Sequence, residues 1–348
     1  MKLRLGLVGL GPSWANRHRP ALQALAERFE VRAVCDPVAH RAEQVAAQLG
    51  ARAVDGFRAI ASAEDIDAVA VLSARWFGAL PILAACDQGK AVYCGASVDL
   101  DSNQAATLRD RVRQSGIAFM AEFPNRLAPA TLRLQELIAT RLGTPRMIFC
   151  NQRDTGDNAG ASGGGDASMR HLVEMVDWCR YVMGREATAV VGAAHTAEPG
   201  VGCEDYSLMT LEFADPTTGT NGATAPTGSS NLAQISYGRY VSKPLSEATA
   251  FRRPADMQVV CESGIAFVDL PATLVWFDSA GQHTESLESE TPVGEQLLMH
   301  FHRAVSSLVL KTASLEDAYR ATSLVIAARQ SYREGRRIAV DLGPTPTH

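Results

Sequence analysis

The opening of the chain constrains its fold more than any other stretch. An apolar run, Leu3 to Leu10, flows directly into Gly9-Leu10-Gly11 and then into a helical pattern from about Ala15 to Arg28. A buried strand that ends in closely spaced glycines and turns at once into a helix is the start of a βαβ unit. Glycines there permit a tight turn and let a pyrophosphate approach the amino end of the helix. The next strand, Glu30 to Cys35, completes the unit.

The same rhythm continues through the first third of the chain. Residues 38 to 49 read as a helix, Arg52 to Asp55 as a short strand, and Ile66 to Ser73 (IDAVAVLS) as a continuous apolar strand of the kind buried in parallel sheets. Ala79 to Gln88 is a helix, Ala91 to Cys94 a strand, Asn103 to Ser115 a helix and Ala118 to Glu122 a strand. This alternation predicts an α/β fold whose first domain, residues 1–123, is a Rossmann-like, doubly wound parallel sheet that binds a dinucleotide. From Phe123 the pattern changes. A helix near Ala130 to Leu142 precedes strands at Arg146–Arg153, Ala187–Ala194, Ser207–Phe213, Leu232–Gly238, Met257–Cys261 and Ile265–Leu270. Residues 124–348 are therefore expected to form a second, α+β domain with a large open, mostly antiparallel sheet. Of two loops rich in small residues, Thr155–Gly165 is a candidate substrate loop and Asp215–Ser230 a lengthened hairpin tip. Helices over Glu295–Leu310 and Ser314–Glu334 close the chain, the latter capped by Ser314 with Asp317 three residues on.

With 348 residues, 46% of them hydrophobic, the chain has enough apolar material for two cores. A formal charge of −5 and the lack of a long Lys/Arg run give no electrostatic footprint for nucleic acid or an anionic membrane. No window approaches the apolar length of a membrane span. The partner expected is a small molecule. The start, MKLRLGLVGLGPSWA, is basic then apolar, but its short run is broken by glycine and reads as a strand instead of a signal peptide. Seven cysteines, at 35, 86, 94, 150, 179, 203 and 261, show no metal spacing. They suit small core positions in a reducing cytoplasm.

Gly9 and Gly11 fall where a dinucleotide-binding turn needs them, but the usual third small residue falls on Trp14. Pro12-Ser13-Trp14-Ala15 reads as a turn one residue longer, with Ala15 in the small-residue role and Trp14 pointed outward. Asp36 ends the second strand, near the spacing of an acid that binds the adenosine ribose 2′-hydroxyl. It favours NAD, because a carboxylate repels a 2′-phosphate; Arg41, one turn on, leaves NADP open. Asp36 followed by Pro37 also reads as the N-cap and N1 pair of the next helix.

Several stretches together resemble the Gfo/Idh/MocA family of nicotinamide-dependent oxidoreductases: GLVGLG, IDAVAVLS, GKAVYC, the Arg126-Leu127-Ala128-Pro129 turn, the SGGG helix entry ending in DWCRYVMG, ESGIAFVD, and the last helix. The resemblance covers nearly the whole chain. It implies a Rossmann domain, a C-terminal domain with a large sheet, cofactor at the switch point, and a homo-oligomer, dimer or tetramer, built through that sheet. The site positions depart from the family pattern. Where the family reads G-K-x-V-x-C-E-K-P, with the Lys touching substrate and nicotinamide, Gly95, Ala96 and Ser97 stand in place of Glu, Lys and Pro. Ser73, Ala74 and Arg75, then Trp76, replace Thr-Pro-Asn beside the nicotinamide. In the helix after the glycine run, Arg170 and Glu174 take the family's Asp and His places.

Arg170, Glu174 and Asp177 lie at i, i+4 and i+7 and so share one helix face. Glu174 is the natural general base, and Arg170 a planar clamp for an oxyanionic group; an Arg170–Glu174 pair on a solvated face is the bland alternative. His171, Glu174 and Asp177 spell H-x-x-E-x-x-D, but no second ligand cluster supports a metal. His171 and Tyr93 are further acid/base candidates, Lys90 is expected to be solvated, and Trp76 either stacks on the nicotinamide or a sugar or covers the sheet end. The leading expectation is a cytoplasmic NAD(P)-binding oxidoreductase acting on a sugar, cyclitol or related polyol with a non-standard acid/base set. The alternatives are a catalytically inactive Rossmann-type binding or regulatory protein, and an NAD-assisted non-redox glycoside cleavage or elimination.

Overall fold

A computed structural model describes residues 2–95, 98, 100–153, 164–195, 206–214, 231–238, 255–289, 291–307 and 313–342, with the backbone alone at 164–168 and 313. The loop Asp215–Ser230, Ala96, Ser97 and all but the end of Thr155–Gly165 lie outside the described residues. The chain forms two units: Met1–Pro124 with Glu290–Tyr319, and Asn125–Ser289 with Arg320–Thr347.

The first unit is built on six parallel strands, β1 (Leu3–Val8), β2 (Phe29–Cys35), β3 (Arg52–Ala53), β4 (Ala68–Val71), β5 (Ala91–Cys94) and β6 (Phe119–Ala121), in the order β3-β2-β1-β4-β5-β6. In the central strands β1, β4 and β5 a near-continuous Val, Leu and Ala content buries both faces, as a sheet covered by crossover helices requires. Strand order reverses between β1 and β4, and the crevice beyond the carboxyl ends there is where such folds place ligands. Helices α1 (Arg19–Ala24), α2 (Ala39–Leu49), α3 (Phe57–Ser62), α4 (Leu80–Asp87) and α5 (Ser102–Ser115) connect the strands. α5 opens on a capping box, in which Asp101 accepts the Gln104 N–H at 2.8 Å and the Gln104 side chain accepts the Asp101 N–H at 3.1 Å.

Three local expectations are corrected. The helix expected over Ala15–Arg28 opens as a π turn, Trp14–His18, and its α part ends at Ala24. α2 begins at Ala39 with Val38 at its cap, so Asp36 and Pro37 are not its N-cap pair. The Ser314 hydroxyl does not cap its own helix; it accepts the Ala121 N–H at 2.7 Å and ties that helix to β6. The helix at 57–62 was not anticipated.

The second unit carries nine strands: β7 (Pro145–Arg153), β8 (Ala187–His195), β9 (Tyr206–Phe213), β10 (Asn231–Gly238), β11 (Met257–Cys261), β12 (Ile265–Asp269), β13 (Thr273–Asp278), β14 (Gly281–Ser286) and β15 (Ile338–Ala339). Their order is β14-β13-β12-β11-β7-β10-β9-β8-β15, antiparallel throughout except where β7 and β10 run parallel. The mostly antiparallel sheet expected from the sequence is therefore present, with three strands beyond the six expected: β13, and the two edge strands β14 and β15. α6 (Pro129–Leu137) packs on β12 and β13, and α7 (Gly164–Met183) on β7 and β10. Trp178 of α7 is fully buried and its indole N–H donates to Thr131 Oγ1 at 2.9 Å. No described helix is long and apolar enough to cross a membrane.

Candidate functional site

The carboxyl ends of β1, β2 and β4 meet in the glycine turn. Gly9 has φ +70°, and a Cβ on it would sit 2.6 Å from the Ser73 carbonyl oxygen; a Cβ on Gly11 would overlap the Leu72 carbonyl. Both glycines are therefore required by the close passage of the turn against the end of β4. The Gly9 N–H donates to the Cys35 carbonyl at 2.8 Å. The Asp36 carboxylate accepts the Leu10 N–H at 2.8 Å through one oxygen and the Val38 N–H at 3.0 Å through the other. Asp36 thus fixes the glycine turn to the end of β2. Each carboxylate oxygen keeps acceptor capacity after one backbone bond, so this half-buried group suits a ribose diol.

Behind the turn, the Ser13 carbonyl accepts the N–H of both Arg17 (3.0 Å) and His18 (3.2 Å). The five-residue π turn absorbs the extra residue that the sequence spacing implied. It also rotates the side chains: Trp14 and His18 are buried, while Pro12 and Ala15 are exposed. The expected inward Ala15 and outward Trp14 are thus reversed. Ser73 is half-buried and Ala74 buried. Trp76 is 70% exposed, with the Arg75 guanidinium 5.5 Å from its ring centre, and does not cover the sheet end. Lys90 is not a solvated lysine, since its ammonium donates to the Ala63 and Ile66 carbonyls at 2.8 and 2.6 Å.

Tyr93 also moves from its expected place. Its ring is 1% exposed and packs edge-on against His18 (6.3 Å between centres) and Phe301 (5.5 Å), with the hydroxyl buried. A residue on a strand covered on both faces has no cleft side. The same region holds a cluster the sequence reading missed. Glu122, just past β6, has a side chain only 1% exposed; it pairs with His18 Nε2 at 2.8 Å and with the Arg17 guanidinium. The i, i+4 spacing of Trp14 and His18 was the available signal for a buried histidine.

In the second unit, α7 presents Arg170 and Glu174 one turn apart, both half-buried, with Arg170 Nε donating to Glu174 Oε1 at 2.9 Å. The ion pair is therefore formed, though not on a fully solvated face. His171 lies flat on Tyr237, with ring centres 4.8 Å apart and planes 12° apart. Asp177 leaves the polar face expected for it. It is buried, accepts two bonds from Arg126 (2.7 and 2.5 Å), and pairs with Arg180, which also holds Glu186. These engagements leave the H-x-x-E-x-x-D carboxylates tied to arginines. Among the described residues no three His, Cys, Asp or Glu side chains are grouped as a metal site.

A parallel sheet with a switch-point glycine turn, joined in one chain to a nine-stranded mostly antiparallel sheet, defines a two-unit dinucleotide-binding α/β protein. A family model described as an oxidoreductase family with an NAD-binding Rossmann fold matches residues 3–123, and one described as the GFO/IDH/MocA C-terminal domain matches residues 131–264. The chain belongs to the Gfo/Idh/MocA oxidoreductase family. It is 27% identical over 364 residues to an inositol 2-dehydrogenase of Mycolicibacterium gilvum, covering 99% of this chain and 95% of that one. A D-xylose 1-dehydrogenase (NADP(+)) of Haloferax volcanii is 30% identical over 148 residues, 42% of this chain and 44% of that one. The fold is also that of levoglucosan dehydrogenase in complex with NADH and levoglucosan, with TM-score 0.79, 17% identity, and 98% and 100% of the two chains covered.

Proposed function

We propose that the protein is an NAD-dependent oxidoreductase of a sugar, cyclitol or related polyol that works without the family's lysine. The observation that carries the cofactor half is the Asp36 carboxylate fixed at the glycine turn, within reach of a ribose and hostile to a 2′-phosphate. Gly9, Gly11, Pro12, Ser13, Trp14 and Ala15 form the turn behind the pyrophosphate, and Ser73, Ala74, Trp76 and Gly95 border the nicotinamide end. The buried Trp14 supports the turn from inside. The nicotinamide, when bound, supplies the hydride acceptor.

What the chain must then add is one base and one orienting group. Glu174 takes the hydroxyl proton of the substrate on Oε2, while Arg170, which holds Oε1, orients the carboxylate and the developing carbonyl oxygen. His171, stacked flat on Tyr237, is the weaker base candidate. Cyclitols and aldoses are the first substrates to try, because relatives that carry those activities in their names align with this chain, the inositol 2-dehydrogenase over nearly its whole length. Apolar side chains left exposed on the sheet of the second unit, Met147, Val191, Leu208 and Phe277, support a homo-oligomer through that sheet. The free, buried cysteines suit a reducing cytoplasm.

Calorimetric titration with NAD and NADP, followed by a polyol panel read at the reduced-nicotinamide absorbance, tests the proposal. NAD binding with polyol-dependent reduction supports it. NAD binding with no reduction leaves a binding protein, and binding of neither cofactor removes the reading altogether.

A further inference from the structure

Gly95 is a glycine without a conformational reason to be one. It is not among the glycines of positive φ, so its backbone suits any L residue. What excludes a side chain there is another side chain: a Cβ at position 95 would lie 2.5 Å from Glu122 Oε2 and 3.4 Å from His18 Nε2. Gly95 follows β5 and Glu122 follows β6, in neighbouring strands where Cys94 stands opposite Ala121. The Glu122 N–H donates to the Cys94 carbonyl at 2.9 Å, which sets the two residues side by side. The carboxylate of Glu122 therefore fills, from the edge strand, the space beside Gly95, where the family pattern has a glutamate of its own.

Arg17 and His18, which pair with it, are consecutive residues of the π turn. Arg17 and His18 both reach Glu122, and the turn that carries them starts at Ser13, directly after the glycines. A carboxylate paired with a guanidinium only accepts, so His18 Nε2 carries the hydrogen of the 2.8 Å bond. His18 Nδ1 is buried and has no hydrogen-bond partner among the described residues. Glu122 thus supplies the one described hydrogen bond that orients this imidazole.

We propose that Glu122 is a positioning residue for the dinucleotide. It supplies from β6 the carboxylate that position 95 lacks, and by gripping Arg17 and His18 it fixes the π turn behind the pyrophosphate-binding glycines. The proposal rests on the NAD reading above. It makes positions 95 and 122 interchangeable as a pair: a glutamate at either one, with glycine at the other, satisfies Arg17 and His18, whereas glutamate at both crowds two carboxylates into one buried space.

The test compares wild type, Glu122→Gln, Glu122→Gly, and the exchange variant Gly95→Glu/Glu122→Gly. NAD affinity is measured by calorimetry, and the His18 Nε2–H proton is followed by NMR in the ligand-free protein. Glu122→Gln and Glu122→Gly are expected to weaken NAD binding about tenfold or more, the size of one lost charge-assisted hydrogen bond. The loss should appear in the KM for NAD instead of in kcat, and in Glu122→Gly, which leaves no acceptor at position 122, the hydrogen-bonded imidazole resonance should disappear. The exchange variant should regain the resonance and bind NAD within about threefold of wild type. Wild-type affinity in a folded Glu122→Gln protein overturns the proposal, as does a folded exchange variant that binds no better than Glu122→Gly. If the wild-type protein binds no NAD, the cofactor reading is what fails, and the positioning role falls with it. The resonance then decides only the exchange: its return in the exchange variant upholds the shared carboxylate, and its absence refutes that as well.

Discussion

Replacing Asp36 with Asn tests the cofactor assignment with a nearly isosteric change. Asp36 presents two carboxylate oxygens to two backbone N–H groups, those of Leu10 at 2.8 Å and Val38 at 3.0 Å. Asn keeps one oxygen, so one N–H loses its acceptor and the turn loosens by about 1 kcal/mol. That loss falls on NAD and NADP alike. The charge change does not. A carboxylate and one phosphate charge about 4 Å apart repel by about 4 kcal/mol at an effective dielectric of about 20. Asp36 is half-buried beside exposed Pro37 and Val38, and physiological salt screens over about 8 Å, so about half of that, roughly 2 kcal/mol, is the working figure. The NAD:NADP affinity ratio of Asp36→Asn should therefore fall about thirtyfold, with NADP binding improving outright. Calorimetric dissociation constants for both cofactors, in both proteins and at one ionic strength, give the ratio directly. A ratio that moves less than about threefold, or a wild-type preference for NADP, refutes the assignment of Asp36 as the discriminating group.

Other consequences concern the second unit, the sheet of the first and the thiols. Asp177→Asn strips the charge from a buried carboxylate held by Arg126 and Arg180; a loss of about 3 kcal/mol, at the low end for breaking a buried pair, should lower the melting temperature by roughly 6–12 °C, and a drop of less than about 2 °C would show the network to be energetically idle. Hydrogen bonding from Arg4 holds the Asp67 carboxyl below the usual carboxylate range. Because the folded value is depressed, the stabilisation is complete above the ordinary carboxylate value of about 4 and is lost as pH falls through the folded one. Asp67→Asn should therefore carry a constant melting penalty from about pH 5 to about pH 8 that shrinks only in stronger acid; a penalty that vanishes near neutrality contradicts the pairing. Burial pushes the Cys35 and Cys261 thiols up to about 11, so both should resist alkylation in the native protein near pH 8 and react only on unfolding, as peptide mapping after iodoacetamide would report.

The glycine turn and the order of strands and helices were legible because each is a local pattern: a continuous apolar run, a breaker, a helical period. The edge strands β14 and β15 leave no such pattern, since GQHTES carries almost no apolar signal and is held by pairing with its neighbour, and Ile338–Ala339 is too short to show a period. Trp14 was misplaced because a helix of ordinary pitch was assumed, and the π turn rotates the whole segment. Asp177 fits the helical period but not the polar face, because Arg126 arrives from a segment 51 residues away to neutralise it. The Glu122–His18 pair spans 104 residues and leaves no trace in any window. Its one sequence shadow is the glycine at 95, which reads as a loss until Glu122 is seen beside it.

The most direct test of the account is a single turnover with the protein in excess over NAD, a cyclitol or aldose substrate added, and reduced nicotinamide followed in time, for wild type and for Glu174→Gln. The account predicts substrate-dependent reduction by wild type, and in Glu174→Gln a rate lower by about two orders of magnitude or more at unchanged NAD affinity. Reduction by Glu174→Gln at the wild-type rate would contradict it.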